Sequence, residues 1–376
     1  MNKHLPSYFE DFLAAIRPTV EEIADYKEGH ETLRARLTAD TVLGPIIVTT
    51  FLQGSYRRAT AIRPEGGKRS DVDVVVVTRL SENEHTPQAA LDKFKTFLDI
   101  HYKGQWEMQG RSIGIELDAI ELDLVVTSAP AESEEGILKS ASVSTSESLE
   151  EAQDWRLDRQ WQPVESRREG SWLTRGVADE VWRTEPLLIP DRDAACWQDT
   201  HPLEQIRWTQ EKNGNCNRHY VNVVKALKWW RRVMRPTPKY PKGYPVEHLI
   251  GACCPDGVES VAEGIVLTLE TIVRTYKLHA VAKIVPELPD HGVPSHNVFK
   301  RITGEDFAAF YDQVAAAAIV ARAAFDEDED VAAKVTLWQN LFGDAFPDPP
   351  KGDDRGGSGG FTKRTSATTI GSGRFA

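Results

Sequence analysis

The chain has 376 residues, 40% hydrophobic and 27% charged, with a formal net charge of -12. That length suits two lobes better than one minimal domain, and the composition is ordinary for a soluble globular protein with a sizeable core. The acidic balance disfavours an extended nucleic acid as substrate, since such a surface does not attract a long polyanion, though a local basic groove stays compatible with it. Cys196, Cys216, Cys253 and Cys254 contain no C-x-x-C pair, and two are adjacent. A reduced, cytoplasmic protein is expected rather than a disulfide framework. No apolar h-region follows Met-Asn-Lys-His-Leu-Pro, so no signal peptide is expected. No apolar run approaches the about 20 residues of a membrane span, and no membrane partner is expected.

In chain order, residues 5–40 are predicted to be helical. Phe9, Phe12, Leu13 and Ile16 fall at helical spacing, and Ile23, Leu33 and Leu37 continue the pattern after Pro18. Residues 45–53 read as a strand that ends at Gln53 and runs into a Gly54-Ser55 turn. Residues 71–78 read as a second strand by their β-branched content. Residues 87–100 read as a helix, and 112–127 as one or two strands of the same sheet. This alternation predicts an α+β lobe with a mixed sheet flanked by helices. Residues 130–200 are poorly periodic and rich in Ser, Glu and Trp, which predicts an irregular segment around the core. From 201 to 345 the pattern is helical, with Pro-rich breaks at 236–245 and 286–294. From 348 on, Pro, Gly, Asp, Ser and Thr dominate, and disorder is expected because too little apolar surface is available to offset the ordering entropy. The expected organisation is a catalytic lobe with its N-terminal helix over 1–200, an all-helical lobe over 201–346, and a disordered tail over 347–376.

The chemistry concentrates in three acids. Asp71 and Asp73 are two apart on a predicted strand, so both carboxylates project from one face while Val72, Val74 and Val76 take the other. Two like charges so close repel unless a cation sits between them, and hard oxygen ligands select Mg2+ or Mn2+. In Glu121-Leu-Asp-Leu-Val-Val, Leu122, Leu124 and Val126 fill one face and Asp123 points to the other. If the two strands are neighbours, Asp123 completes a set able to hold a pair of divalent ions; otherwise the acids simply solvate strand ends. Gly54 would let backbone N–H groups approach a phosphate, and the Ser55 hydroxyl adds a donor. Arg57, Arg58, Arg63, Lys68 and Arg69 either steer a triphosphate or form a solvated loop. Residues 219–232 form an amphipathic helix with Tyr220, Val223, Leu227 and Trp230 on one face and Lys225, Lys228 and Arg232 opposite.

Taken together, Gly54-Ser55, then Lys68-Arg69-Ser70-Asp71-Val72-Asp73-Val-Val-Val-Val, then a third Asp on a later strand, resemble the signature of the DNA polymerase β-like nucleotidyltransferases. The branch it resembles most is that of the 2′-5′-oligoadenylate synthases, cyclic GMP–AMP synthase and their bacterial relatives, the CD-NTases, and within these the clade D enzymes, whose chains also end in a Gly-rich Gly-Arg-Phe-Ala tail. The resemblance spans most of residues 45–345 and implies a polymerase β-like core with a helical C-terminal lobe. It implies metal-dependent nucleotidyl transfer at Asp71, Asp73 and Asp123 with two Mg2+ or Mn2+ ions. Gln53, Gly54, Ser55, Lys225 and Lys228 would then bind the nucleotide and its phosphates, and Tyr244, in Pro-Lys-Gly-Tyr-Pro-Val-Glu-His-Leu, would stack on a base or else pack beneath the Pro-rich loop.

The implied substrates are ATP with GTP or another NTP. The implied product is an adenine-containing cyclic tri- or dinucleotide second messenger acting on a separate effector in antiphage (CBASS-type) defence. A linear oligoadenylate or RNA-directed transferase of the same fold, and a catalytically dead nucleotide-binding scaffold, are the competing readings. The tail ending at Ala376 would offer a conjugation point to a ubiquitin-transfer-like partner, against the reading of an ordinary tail. His248, Cys253 and Cys254 invite comparison with a zinc insert, but a structural zinc site wants four N/S ligands and the spacing supplies no fourth.

Overall fold

The computed structural model describes residues 4–129 except 65 and 67, and residues 185–349 except 328. Its helices begin where the sequence supplies caps. Helix α1 (Pro6–Ile16) has Pro at its start, and α2 (Val20–Ala39) opens with a capping box. In that box Thr19 Oγ1 accepts from Glu22 N at 3.2 Å while the Glu22 carboxylate accepts from Thr19 N at 2.7 Å.

The sheet is built on β1 (Ile47–Gln53), β2 (Ser70–Thr78), β3 (Trp106–Met108), β4 (Ile113–Glu116) and β5 (Ile120–Ser128), in the order β1-β2-β5-β4-β3. The β2–β5 pair is parallel, and its neighbours pair antiparallel, so the sheet is mixed. The period-2 alternation divides the strands cleanly. Val72, Val74, Val76, Leu122, Leu124 and Val126 lie in one core with Leu33, Leu37, Phe94 and Leu98 from the helices. Val75, Val77 and Val125 lie in a second, smaller core on the other face. Asp71, Asp73 and Asp123 share the parity of this second set, so the carboxylates occupy one end of a face whose other end is apolar.

Two local expectations are corrected. The predicted helix over 87–100 is two short helices, α4 (Pro87–Asp92) and α5 (Lys95–His101). Between them Phe94 N bonds back to Leu91 O at 3.1 Å, a tighter turn that aims Phe94 into the core. Within 130–200, residues 187–191 and 196–200 are not irregular but form β6 (Leu187–Asp191) and β7 (Cys196–Thr200), an antiparallel pair attached to the end of β5 through Ser128 and Leu188. The run Leu-Leu-Ile-Pro was too short and too Pro-marked to read as a strand. Residues 130–184 lie outside the described part.

A short helical turn, α3 (Gly54–Arg57), follows β1. The helices after β7 are α6 (Pro202–Asn215), α7 (Tyr220–Val233), α8 (Tyr244–Cys253), α9 (Val261–Ala282), α10 (Gly304–Asp326) and α11 (Val331–Phe342). They share one large core. Helix α7 is its centre and packs against α1, α6, α8, α9 and α11. Of the N-terminal helical stretch expected with the catalytic residues, α2 lies against the sheet, but α1 lies in this helical core: Phe12 meets Phe342 at 4.5 Å between ring centroids, and Phe9 meets Trp338 at 5.1 Å and Phe346 at 5.2 Å. Helix α10 reaches the length and apolarity of a membrane span by composition. The sequence reading found no such run, because the apolar residues of α10 are mostly alanines. Its Phe307, Phe310, Val314 and Ala321 are buried in the helical core.

Leu124 is fully buried between β2 and the α2 helix side of the sheet. Leu124→Ala is expected to cost about 2–5 kcal/mol, read as a fall in the denaturant midpoint; a loss under about 0.5 kcal/mol would contradict the close packing that aligns β2 with β5.

Candidate active site

The register of three strands brings the acids together. Asp73 on β2 stands directly opposite Asp123 on β5, and on its other side opposite Gln53 at the end of β1. Asp71, one step further out, stands opposite Glu121. Parallel neighbours in register place their side chains on the same face, so Asp71, Asp73, Asp123 and Glu121 form one acidic end of the sheet.

Gly54 closes the site from the β1 side. Its φ is +75°, and a Cβ placed there would fall 1.8 Å from Asp73 Oδ2. Both facts require glycine: the conformation is one that L-residues rarely adopt, and the carboxylate occupies the space a side chain would need. Turn α3 then continues through Ser55, whose carbonyl accepts from Thr60 N at 2.9 Å, while Gly54 O accepts from Arg58 N at 3.1 Å.

The electrostatics follow from burial and like charge. Burial, reinforced by Asp71, pushes Asp73 up to about 6, with Arg58 and Gln53 pulling the other way. Burial, reinforced by Asp73, Asp71 and Glu121, pushes Asp123 up to about 7. Burial and Asp71 also raise Glu121. Asp123 Oδ1 is buried without a hydrogen-bond partner. Among the described residues no trio of His, Cys, Asp or Glu side chains is already arranged to hold a metal ion. The donor set still fits one: the carboxylates share a face, repel one another, and leave a buried oxygen without a partner, all of which a hard divalent cation would relieve.

The helical residues sit differently from expectation. Tyr220, Val223, Leu227 and Trp230 are buried as predicted, but so are Val221, Val224 and Lys225. Lys225, at 1% exposure, therefore lies inside the helical core and not on an open basic face. Packing on all sides of α7 left no open face there. Lys228 points toward the sheet: Nζ donates to Thr60 O at 2.9 Å and stands 3.8 Å from Glu247 Oε2. Arg232 donates to Arg63 O. Arg57 and Arg58, read as a steering or solvated pair, are both buried. Tyr244 is the first residue of α8, half-buried, with the Arg58 guanidinium 5.1 Å from its ring centroid. Ala376 lies outside the described residues. Sequence reasoning missed Glu247 and Thr60; the only signal for Glu247 was a lone acid in an otherwise apolar Pro-Val-Glu-His-Leu segment.

Residues 4–135 match the Second Messenger Oligonucleotide or Dinucleotide Synthetase domain. The chain is 48% identical, over an alignment of 385 positions covering 99% of it and 100% of the relative, to a probable cyclic AMP-AMP-GMP nucleotide synthase of Salmonella paratyphi B. It is 46% identical, over 99% of its length and 100% of the relative, to a cyclic AMP-AMP-GMP synthase of Enterobacter hormaechei subsp. hoffmannii. Its fold is similar to that of the CD-NTase CdnG of Bradyrhizobium diazoefficiens, solved with GTP, at 13% identity and a TM-score of 0.62, covering 90% of this chain and 94% of that one. The chain belongs to the CD-NTase family, polymerase β-like nucleotidyltransferases that synthesise cyclic oligonucleotides. Within that family its similarity runs to bacterial cyclic trinucleotide synthases along its whole length.

Two tests follow from the geometry. Gly54→Ala should strain the turn and lower the rate of pyrophosphate release by at least about tenfold, because the added methyl must displace the Asp73 carboxylate; an unaltered rate would contradict the close approach. The second test uses the raised acids. A carboxyl whose folded pKa lies above its unfolded value favours folding when protonated, so that contribution is lost as pH rises from about 4 through 6. In metal-free buffer, Asp73→Asn should melt higher than the natural protein at pH 7.5, and the gap should close toward pH 4. Equal melting temperatures at both pH values would contradict the burial of an ionised Asp73.

Proposed function

We propose that this chain makes a cyclic trinucleotide of two AMP units and one GMP unit from ATP and GTP, with Asp71, Asp73 and Asp123 as its metal-binding carboxylates. The observation that carries the assignment of the acids is the parallel register that sets Asp73 beside Asp123, with Gly54 pressed against Asp73. The base composition rests on two full-length relatives that bear the same product in their names.

Mg2+ or Mn2+ held by the three acids would offset the charge of the triphosphate and lower the pKa of the attacking hydroxyl. The residues do the rest. Gln53, Gly54 and Ser55 present backbone and side-chain donors to the phosphates at the end of β1. Asp123 would complete the metal-binding set with its unpartnered Oδ1 and so ease the loss of the acceptor ribose hydroxyl's proton to solvent. The hydroxyl oxygen bonds to the α-phosphorus and pyrophosphate departs. Lys228, held by Thr60 O beside Glu247, would bind the triphosphate, and Tyr244 would offer a ring face to a base. Lys225, buried within the helical core, acts through the position of α7 and not as an open phosphate ligand. The product serves as a second messenger that switches on a separate effector in CBASS-type antiphage defence. The Gly-Arg-Phe-Ala terminus at Ala376 serves as the handle for a ubiquitin-transfer-like partner. A cytoplasmic setting fits substrates drawn from the NTP pool.

The deciding experiment incubates the protein with labelled ATP, GTP, CTP and UTP and Mg2+ or Mn2+, followed by phosphatase treatment and mass spectrometry. A phosphatase-resistant product containing two adenines and one guanine, absent from Asp71→Asn/Asp73→Asn, is the expected result. A phosphatase-sensitive ladder would replace this reading with linear synthesis, and nucleotide binding without any product, with or without candidate activators, would replace it with a scaffold.

A further inference from the structure

A buried charge network lies behind the site and joins the two halves of the molecule. Glu247, on the first turn of α8, is 3% exposed, yet both of its carboxylate oxygens are occupied. Arg58 Nε donates to Oε1 at 2.6 Å, and Thr60 Oγ1 donates to Oε2 at 2.8 Å. Lys228, from α7, reaches the same place through Thr60 O. Burial alone would raise Glu247, but Arg58 and Lys228 outweigh it and hold the carboxyl below its ordinary value, so the group is ionised. Burial likewise works against the charge on Arg58, and Glu247 outweighs it.

The network is not placed as a mere filler of the helical core. Arg58 and Thr60 belong to the turn that begins at Gly54, and that turn is what presses on Asp73. Arg58 N is bonded to Gly54 O, and Thr60 N to Ser55 O. The other end of the Arg58 side chain lies over the Tyr244 ring, and its charge reaches Asp73. Arg58 therefore joins the turn through its main-chain N–H, and its guanidinium meets the Tyr244 ring and, through Glu247, helix α8.

We propose that Arg58, clamped by Glu247, is a positioning residue that holds the Gly54–Thr60 turn and Tyr244 in register with Asp73, so that the base side and the phosphate side of a bound nucleotide are set by one ion pair. Neither Arg58 nor Glu247 touches the reacting atoms. The inference rests on the assignment of the carboxylates above, and its effect should fall on kcat, because the ion pair tunes geometry and contributes no direct phosphate contact.

The test separates positioning from stability. Glu247→Gln leaves two buried cations without their counter-charge and should lower the melting temperature; Arg58→Gln/Glu247→Gln removes both charges of the pair and should regain most of it. If the pair only supports the fold, cyclic product formation returns with stability. If it positions the site, the double variant melts near the natural protein yet keeps a kcat at least about tenfold lower, with KM for ATP and GTP changed by less than about threefold. Should the double variant not regain its melting temperature, Arg58→Lys decides, since it retains the buried cation but loses the Nε donor and the planar face over Tyr244. A natural kcat in Arg58→Lys would overturn the proposal, and a kcat at least about tenfold lower in a folded protein would support it. Natural protein and Asp73→Asn are run alongside. If Asp73→Asn keeps activity, the assignment of the carboxylates fails; if Asp73→Asn is inactive while the Arg58 variants are unimpaired, the present inference alone fails.

Discussion

Two carboxylates set side by side across neighbouring strands repel each other and lose hydration as they are covered. Asp73 and Asp123 are in that position because β2 and β5 pair parallel and in register from Ser70 and Ile120 onward. Keeping one such acid ionised at neutral pH costs on the order of 3 kcal/mol when its pKa is raised by about two units. Each buried Val or Leu on the opposite face contributes roughly 1.5–3 kcal/mol. Val72, Val74, Val76, Leu122, Leu124 and Val126 are all fully buried, so the apolar face outweighs the acidic end and fixes the register. A cation is then the natural means of discharging what the sheet has forced together.

The helical part supplies the second constraint. The Gly54–Thr60 turn carries left-handed residues at Gly54 and Ala59 and is held by contacts from outside as well as by its own backbone bonds. Glu247 reaches it from a helix distant in sequence and occupies Arg58 and Thr60 at once. An ion pair so deeply buried contributes little net stability relative to an apolar substitute, but its breakage is costly. It is better understood as a device of alignment than of strength: it permits one relative placement of α8 and the turn, and so one distance between Tyr244 and Asp73.

Much of this was legible in the chain because the relevant signals are periodic or glycine-marked. The alternation in Asp71–Thr78 and in Glu121–Val126 exposed both the strand and the face on which its acids lie, and the stripe Tyr220, Val223, Leu227, Trp230 marked α7. Where signals were short or masked by composition, reading failed. Residues 187–191 are brief and contain a proline; the break between α4 and α5 is a single tightened turn; the buried state of Lys225 contradicts its chemistry and follows only from the helices that surround α7. The basic run Arg57–Arg58 offered charge without direction, and the pairing with Glu247 shows why Arg58 is covered.

The sequence by itself determined which residues are candidates for the chemistry and which face of each strand they occupy, because side-chain parity along a strand is a property of the local backbone. Resemblance at Gly54-Ser55 and Asp71-Val72-Asp73 also carried the family. Tertiary structure alone decided that β5, and not β1 or β4, lies parallel to β2 with Asp123 opposite Asp73, that α1 joins the helices rather than the sheet, and that Arg58 is held by Glu247. These are relations between segments far apart in the chain, set by which apolar faces bury one another, and no local pattern encodes the partner of a face.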